Sequence, residues 1–384
     1  MSFYPILRIF FLLGCTSFGG PIAHLAVFQR EFVQKRQWLS AQQYSELVAL
    51  CQFLPGPASS QVGMALGLIR GGLAGLLAAF IGFTLPSALL MTAAALSLQQ
   101  WQLPELSLHL LKLLATAVVA QALWSMQKSL CTSPLARLLA LLCALLLLLM
   151  PGSVYQLLLL VFAAWAGRHW LCPSLSNTAP LTVNCPAHLS RFSAVLFTLG
   201  LLGSVVVWLW PQSPLALAGL LWQSGALVFG GGHVLLPLLQ AELVPAWLTA
   251  DSFLAGYALT QAMPGPMFSF AAFVGATAAP AGWPMLSALL AIVLVFLPGA
   301  LVLLAALPHW QQLRQRAELQ AALSGVGAAV VGILLASWLD LMLPGAIQSP
   351  LDIGWLLLLF VLQSRLPLVL LVATTLLLPL ILTI

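Results

Sequence analysis

Thirteen apolar stretches follow one another along the chain, near residues 5–28, 44–68, 72–98, 107–126, 134–150, 152–170, 193–210, 214–237, 253–277, 284–307, 320–342, 352–364 and 366–383. About twenty such residues suffice to cross the hydrocarbon core of a bilayer as a helix. A soluble domain carries about 25% charged residues; this chain carries 5%, with 62% hydrophobic, over 384 residues. It cannot clothe itself for water. The reading is an all-α polytopic membrane protein of about 12–13 transmembrane segments. The opening "MSFYPILRIFFLLGC" resembles a lipoprotein signal ending at Cys15, but its only basic residue, Arg8, lies inside the apolar run. Gly14 also has a counterpart at Gly225, so the segment reads as part of a repeated unit rather than a leader.

That repeat is explicit. At an offset of 211, Gly14, Phe18, Gly19, Gly20, Leu25, Gln29, Glu31 and Val33 match Gly225, Phe229, Gly230, Gly231, Leu236, Gln240, Glu242 and Val244. At an offset of 209, Trp38, Leu39, Ala41, Gln52, Pro55, Gly56, Pro57 and Ser60 match Trp247, Leu248, Ala250, Gln261, Pro264, Gly265, Pro266 and Ser269. The expected domains are 1–170 and 192–384, joined by a polar linker at 171–191, with an extra span at 193–210. Equivalent spans are then seven apart, and an odd offset makes the halves an inverted repeat. The first loop holds Arg30, Lys35 and Arg36, whereas its partner holds Glu242 and Asp251 and nothing basic.

Each half carries two interruptions: Gly19-Gly20-Pro21 with Pro55-Gly56-Pro57, and Gly230-Gly231-Gly232 with Pro264-Gly265-Pro266. Proline removes an amide donor and pushes its predecessor out of the helical region. Broken backbone at membrane depth survives only inside protein or along a wet cavity. A helix restarting after a break offers free N–H groups and a positive dipole end, which suits an anion. Ser59, Ser60 and Gln61 after one break, and Ser269 after the other, are hydrogen-bonding companions. Ser40 and Thr249 read as N-caps, Ser40 forming a capping box with Gln43. Gly71-Gly72 and Gly325-x-Gly327 read as close helix packing.

Glu31 and Glu242 occupy equivalent positions, either as interfacial groups or as buried carriers of a proton. His24 and His233 lie near the breaks without matching each other, and read first as neutral hydrogen-bonding residues. Arg30, Lys35 and Arg36 could funnel an anion or form a juxtamembrane, lipid-facing cluster, and Arg70 is a further anion-contact candidate. With a cytoplasmic N-terminus, nine basic residues fall inside (Lys128 and Arg137 among them) and four outside, as the positive-inside rule favours. Six cysteines show no metal-site spacing, and Cys172 and Cys185 in the linker read as free thiols. No Walker loop, HExxH or GxSxG is present, and the acidic residues fall mostly at span ends. The expectation is therefore no enzyme, no cofactor, no metal and no nucleic acid.

"FGGPIAHLAVFQREFVQKRQWLS", "ALCQFLPGPASSQVGMALGLIRGG", "SGALVFGGGHVLLPLLQ" and "QAMPGPMFSFAAFVGA" closely resemble the long-chain, two-domain form of the chromate ion transporter family, over nearly the whole length. The linker and the second-half loop are slightly more compact here. The resemblance implies a secondary transporter in the cell (inner) membrane, with the bilayer around it, exporting chromate and so conferring resistance. Membrane potential or a proton gradient would drive it. Sulfate or another small anion is the alternative cargo; protons are the candidate coupling ion and a homodimer the candidate assembly. It also implies roles in transport for Arg30, Glu31, Lys35 and Arg36 and for the glycines and prolines of the breaks. The residues expected to bind the anion are those of the four breaks with Ser59, Ser60, Gln61 and Ser269, the charged loop, Arg70, Gln52 and its counterpart Gln261, His233, Gln240 and Glu242.

Overall fold

The computed structural model describes residues 2–100, 104–171, 186–210, 212–213, 215–228, 239–240, 242–279, 282–341, 346–363 and 365–382. Among these residues the protein is built of helices. In the first half they are α1 (Phe3–Thr16), α2 (Gly20–Phe28), α3 (Ala41–Phe53), α4 (Ala58–Gln100), α5 (Glu105–Leu130), α6 (Pro134–Leu149) and α7 (Ser153–Trp170). The extra span is α8 (Ala187–Trp208). The second half continues with α9 (Ala216–Leu227), α10 (Ala250–Ala262), α11 (Phe270–Thr277), α12 (Pro284–Ala306), α13 (Trp310–Gln315), α14 (Ala317–Leu341), α15 (Pro350–Leu362) and α16 (Leu368–Leu382).

Among the described residues, three of the four breaks fall where the sequence places them. The apolar run 5–28 divides into α1 and α2 at Gly19 (φ +96°) and Gly20 (φ +75°). The run 44–68 divides at Pro55-Gly56-Pro57 between α3 and α4, and 253–277 divides at Pro264-Gly265-Pro266 after α10. α3 and α10 correspond residue for residue at the 209 offset. At about 1.5 Å per residue such 13-residue helices are only about 20 Å long. Five helices are long and apolar enough to cross a membrane by themselves, at Ala58–Gln99, Glu105–Leu130, Ala187–Trp208, Pro284–Leu313 and Ala317–Asp340. Six shorter apolar helices accompany them. Ser40 caps α3 through Gln43 in the expected box, and Ser252 N–H donates to Thr249 Oγ1 (3.2 Å) at the start of α10.

Two compact units form, each drawing on both halves: Met1–Ala93, Leu175–Leu235 and Met263–Gln315 in the first; Ala94–Ser174, Leu236–Ala262 and Arg316–Ile384 in the second. The first is held by aromatic packing, with Phe10 stacked on Phe32 (5.1 Å) and Phe28 edge-on to Phe83 (5.1 Å). Gly14 of α1 presses on the Phe83 carbonyl, and its counterpart Gly225 of α9 presses on the Val295 carbonyl. A side chain at either would force those helices apart. In the second unit α14 lies on α6 and α7 through small residues: Gly325 against Ala163 and Gly167, and Gly332 against Ala140. Gly325 thus packs as expected. Gly71-Gly72 does not: Gly72 (φ +62°, ψ −153°) has open space where a Cβ would stand, and the pair breaks the helical path inside α4. It is a hinge of backbone freedom, not a packing contact.

Candidate functional site

In the first unit the two Pro-Gly-Pro segments are tied down by one repeated bond. Gly56 N–H donates to Val228 O (2.7 Å), and Gly265 N–H donates to Ser17 O (2.8 Å). Ser17 and Val228 are themselves 211 apart, each just before a Phe-Gly-Gly. The glycine of each half therefore holds the chain entering the glycine-rich break of the other. Both glycines have positive φ, +119° and +95°. A Cβ on Gly56 would stand 2.9 Å from Gly299 Cα, and one on Gly265 would stand 2.8 Å from Ser87 Oγ. Any other residue here is strained by its backbone and blocked by its neighbour. The N–H groups of these two glycines are thus already bonded to carbonyls.

The free amides lie one step further on. Gln61 N–H closes the first turn of α4 onto Pro57 O (2.9 Å), so the amides of Ala58, Ser59 and Ser60 precede the helical ladder. Ser269 N–H closes onto Pro266 O (3.0 Å), opening the short turn Met267–Ser269 that feeds α11. The third start is α2, entered through Gly19. α2 lies against each of the other two. His24 Nδ1 in α2 lies 3.5 Å from Ser59 Oγ, and a methyl at Gly20 would stand 3.4 Å from the Met267 sulfur. The start of a helix carries partial positive charge, which favours an anion.

The side chains of this region are buried and polar: Ser17, His24, Ser59, Ser60, Gln61, Thr84, Ser87 and Ser269. Some are satisfied. Gln61 Nε2 donates to Pro55 O (2.9 Å) and Gly299 O (3.0 Å), and Ser269 Oγ donates to Pro266 O (2.7 Å). Five atoms are not: Ser17 Oγ, His24 Nε2, Ser60 Oγ, Gln61 Oε1 and Thr84 Oγ1 make no hydrogen bond. Buried polar groups are ordinarily paired, and each left alone costs about 1–3 kcal/mol. Ser60 and Gln61 lie in the first turn of α4 and His24 on α2 beside it, whereas Ser17 caps the end of α1 and Thr84 lies inside α4. Thr84 also lines a cavity of about 150 Å³ with Phe80, Thr92, Ala272 and Ile292.

The charged loop is a separate feature of the same unit. Gln29–Lys35 is a π-helical turn, a distortion that often marks functional sites. Glu31 is clamped by Arg36 Nε (2.8 Å) and Lys35 Nζ (3.3 Å). Partial burial pushes its carboxyl up, but hydrogen bonds and charge from Arg36 and Lys35 outweigh that and hold it below the usual value. Arg30 is exposed, and Arg70 lies over the Trp38 ring (5.4 Å). Gln52 is exposed on α3.

Gln240, Glu242 and Gln261 belong to the second unit. Gln240 lines a cavity of about 360 Å³ with Gln156, Ser337 and Asp340. Glu242 is half-buried without the clamp of its counterpart, and burial pushes its carboxyl up. Gly230, Gly231, Gly232 and His233, like Cys172 and Cys185, lie outside the described residues. The cysteines described, Cys15, Cys51, Cys131 and Cys143, are free thiols.

Sequence reading passed over several members of the cluster. Ser17 and Thr84 carry no motif. Pro86 and Pro298, inside α4 and α12, do have a signal: "TLPS" and "FLPG" repeat at an offset of 212 and bring Ser87 and Gly299 against the two broken segments. Glu46 was also missed; it is buried in α3, and Trp310 Nε1 donates to its Oε2 (3.2 Å).

A family profile described as "Chromate transporter" matches residues 4–168 and 215–381, one match per half. The "Chromate transport protein" of Pseudomonas aeruginosa is 29% identical over 89% of this chain and 81% of its own length. That of Cupriavidus metallidurans is 26% identical over 86% and 80%, and a "Probable chromate transport protein" of Synechococcus elongatus is 25% identical over 87% and 83%. No solved structure matches. With both halves matched and relatives aligned along most of the length, the chain belongs to the chromate transporter family.

Proposed function

We propose that this protein is a secondary transporter that carries chromate out of the cell across the inner membrane, with the anion bound where α2, α4 and the Met267–Thr277 segment begin. The observation that carries this reading is the set of five unpaired buried polar atoms in the first unit, with Ser60 and Gln61 in the first turn of α4 and His24 of α2 lying against that turn. The serine and threonine hydroxyls and the His24 imidazole can donate to the four acceptor oxygens of a tetrahedral oxyanion, Gln61 Oε1 can only accept, and helix dipoles contribute positive charge without a permanent cation. His24 is the one side chain of the cluster able to add a full positive charge, so protons remain the candidate coupling ion.

Export needs no bound nucleotide. A cell interior at negative potential drives a dianion outward by roughly 2.3 kcal/mol per charge per 100 mV. The two halves, facing opposite ways, would rock about the reciprocal Gly56–Val228 and Gly265–Ser17 bonds, opening the site to each side in turn. The basic π-helical loop would gather anions at one mouth. Resistance to chromate would follow from the efflux.

Inverted membrane vesicles test this. Energised vesicles should accumulate radiolabelled chromate, excess sulfate should compete, and valinomycin with potassium should abolish uptake if the potential drives it. Nigericin should abolish it if the proton gradient does. Normal membrane expression with no accumulation would overturn the reading.

A further inference from the structure

Within the second unit, the ends of α5 and α6 together with α14 and α15 enclose a cavity of about 670 Å³. Its wall is almost entirely carbon, from side chains such as Trp124, Leu141, Leu335, Trp338 and Phe360. Specific small-molecule sites span about 300–1,000 Å³, so the space is large enough for a defined occupant. Polar groups are few and placed toward one end. Gln127 and Arg137 line it, and Cys131 lies between them in sequence. Arg137 Nε donates to Cys131 O (3.1 Å), which fixes the guanidinium at the junction of α5 and α6 and leaves its two terminal nitrogens to other partners. Lys128 Nζ sits over the Trp124 ring, 4.7 Å from its centroid. Neither cation is ion-paired with any described residue. No carboxylate lines the cavity.

We propose that this cavity is a binding site for an anionic phospholipid, one acyl chain filling the carbon-walled space and the phosphate held by Arg137 and Lys128. An apolar void beside lipid is filled by the chain at hand, so the wall by itself selects nothing. The selection would come from Arg137, which lines the space, and from Lys128, held against the lining residue Trp124. Two cations without a carboxylate suit a headgroup of net negative charge. A zwitterionic headgroup would bring an ammonium with nothing to meet it. The start of α6 adds in the same sense: Ser133 caps it, its Oγ accepting from Ala136 N–H (3.1 Å), and Arg137 follows in the first turn. With the cytoplasmic N-terminus expected from the sequence, Lys128 and Arg137 would lie on the cytoplasmic side, the leaflet that attracts basic clusters through its anionic lipids. A lipid held there would brace four helices of the second unit from one seat.

The test is native mass spectrometry of the full-length protein, purified in detergent and incubated with equal amounts of phosphatidylglycerol and phosphatidylcholine. Wild type should retain phosphatidylglycerol at least tenfold over phosphatidylcholine, and added phosphatidylglycerol should raise its melting temperature. Lys128→Gln, which leaves the Arg137–Cys131 bond intact, should cut that preference severalfold; Lys128→Gln with Arg137→Gln should abolish it. Leu335→Trp, which fills the cavity but keeps both cations, should reduce retention of either lipid. Monodisperse elution confirms that each variant is folded. Equal retention of the two lipids by wild type would overturn the proposal, as would an undiminished preference in a folded double variant.

Discussion

Two sets of polar groups, one in each unit, are used differently. In the second unit three pairs join helices: His109 Nε2 meets Asp352 Oδ1 at 2.8 Å, Lys112 meets Asp251 at 2.6 Å, and Arg168 meets Glu318 at 2.7 Å. Asp352 also accepts from the Ser349 and Gln348 amides (2.7 and 2.9 Å), so its pairing is complete. In the first unit the buried polar groups between the breaks are neutral hydroxyl, amide and imidazole groups, and five of their atoms are left unmatched. Matched charge fixes helices to each other. Buried polar groups left unmatched are free to meet a ligand, and the proposed anion site rests on that difference.

The comparison breaks most severely at the glycines. Gly56→Leu with Gly265→Leu places side chains at positive φ against Gly299 and Ser87, and transport should fall at least a hundredfold in vesicle flux assays. Gly72→Ala is the control that isolates packing from backbone freedom. It meets no atom, so any loss reflects its φ of +62° and should be smaller.

Next come the unmatched donors. Ser60→Ala and His24→Asn each remove one group that is expected to meet a charged ligand. A hydrogen bond to a charged group contributes about 1.5–3 kcal/mol, so chromate affinity should drop about tenfold or more with melting temperature unchanged or raised. The matched pairs should behave in reverse. Asp352→Asn leaves His109 and two amides with a weaker partner and should cost about 2 kcal/mol of stability, read as a lower melting temperature, while the affinity for chromate stays as in wild type.

The smallest effect separates the repeated carboxylates. Glu31 has a depressed folded-state pKa, so its contribution to stability is present above the unfolded value and is lost as pH falls through the folded one. Glu31→Gln should therefore destabilise at neutral pH, by less than about 1 kcal/mol for so exposed a pair, and the gap should close as pH falls through the depressed folded-state value. Glu242 is shifted the other way by burial, so its ionisation works against folding at neutral pH. Glu242→Gln should leave stability equal or slightly higher at pH 7. Thermal melts of the two variants against pH read both signs.

Much of this was written in local chemistry. Pro-Gly-Pro and Gly-Gly act on their own backbone, so the broken helices, their symmetric placement and the caps at Ser40 and Thr249 could be read from sequence. Glycine is ambiguous without neighbours: Gly325 packs and Gly72 hinges, though both stand in apolar helices beside other small residues. The reciprocal Gly56–Val228 and Gly265–Ser17 bonds join residues far apart in the chain, and no local pattern announces them. The same holds for His24. Its burial depends on Phe83 standing 5.2 Å away across the first unit, and its unmatched nitrogen depends on where Ser17 and Ser59 fall. The engagement of Arg36 and Lys35 by Glu31 joins side chains on a π-helical turn, which the sequence pattern does not announce.

The most direct test of the account is to locate the bound anion. Chromium absorbs at an accessible X-ray edge, so anomalous difference maps from crystals grown with chromate would place it without reference to the surrounding density. The account predicts a peak in the first unit within hydrogen-bonding distance, about 3 Å, of Ser60 Oγ and His24 Nε2. A peak in the Gln240–Asp340 cavity or among Arg30, Lys35 and Arg36, with none at the helix starts, would contradict it.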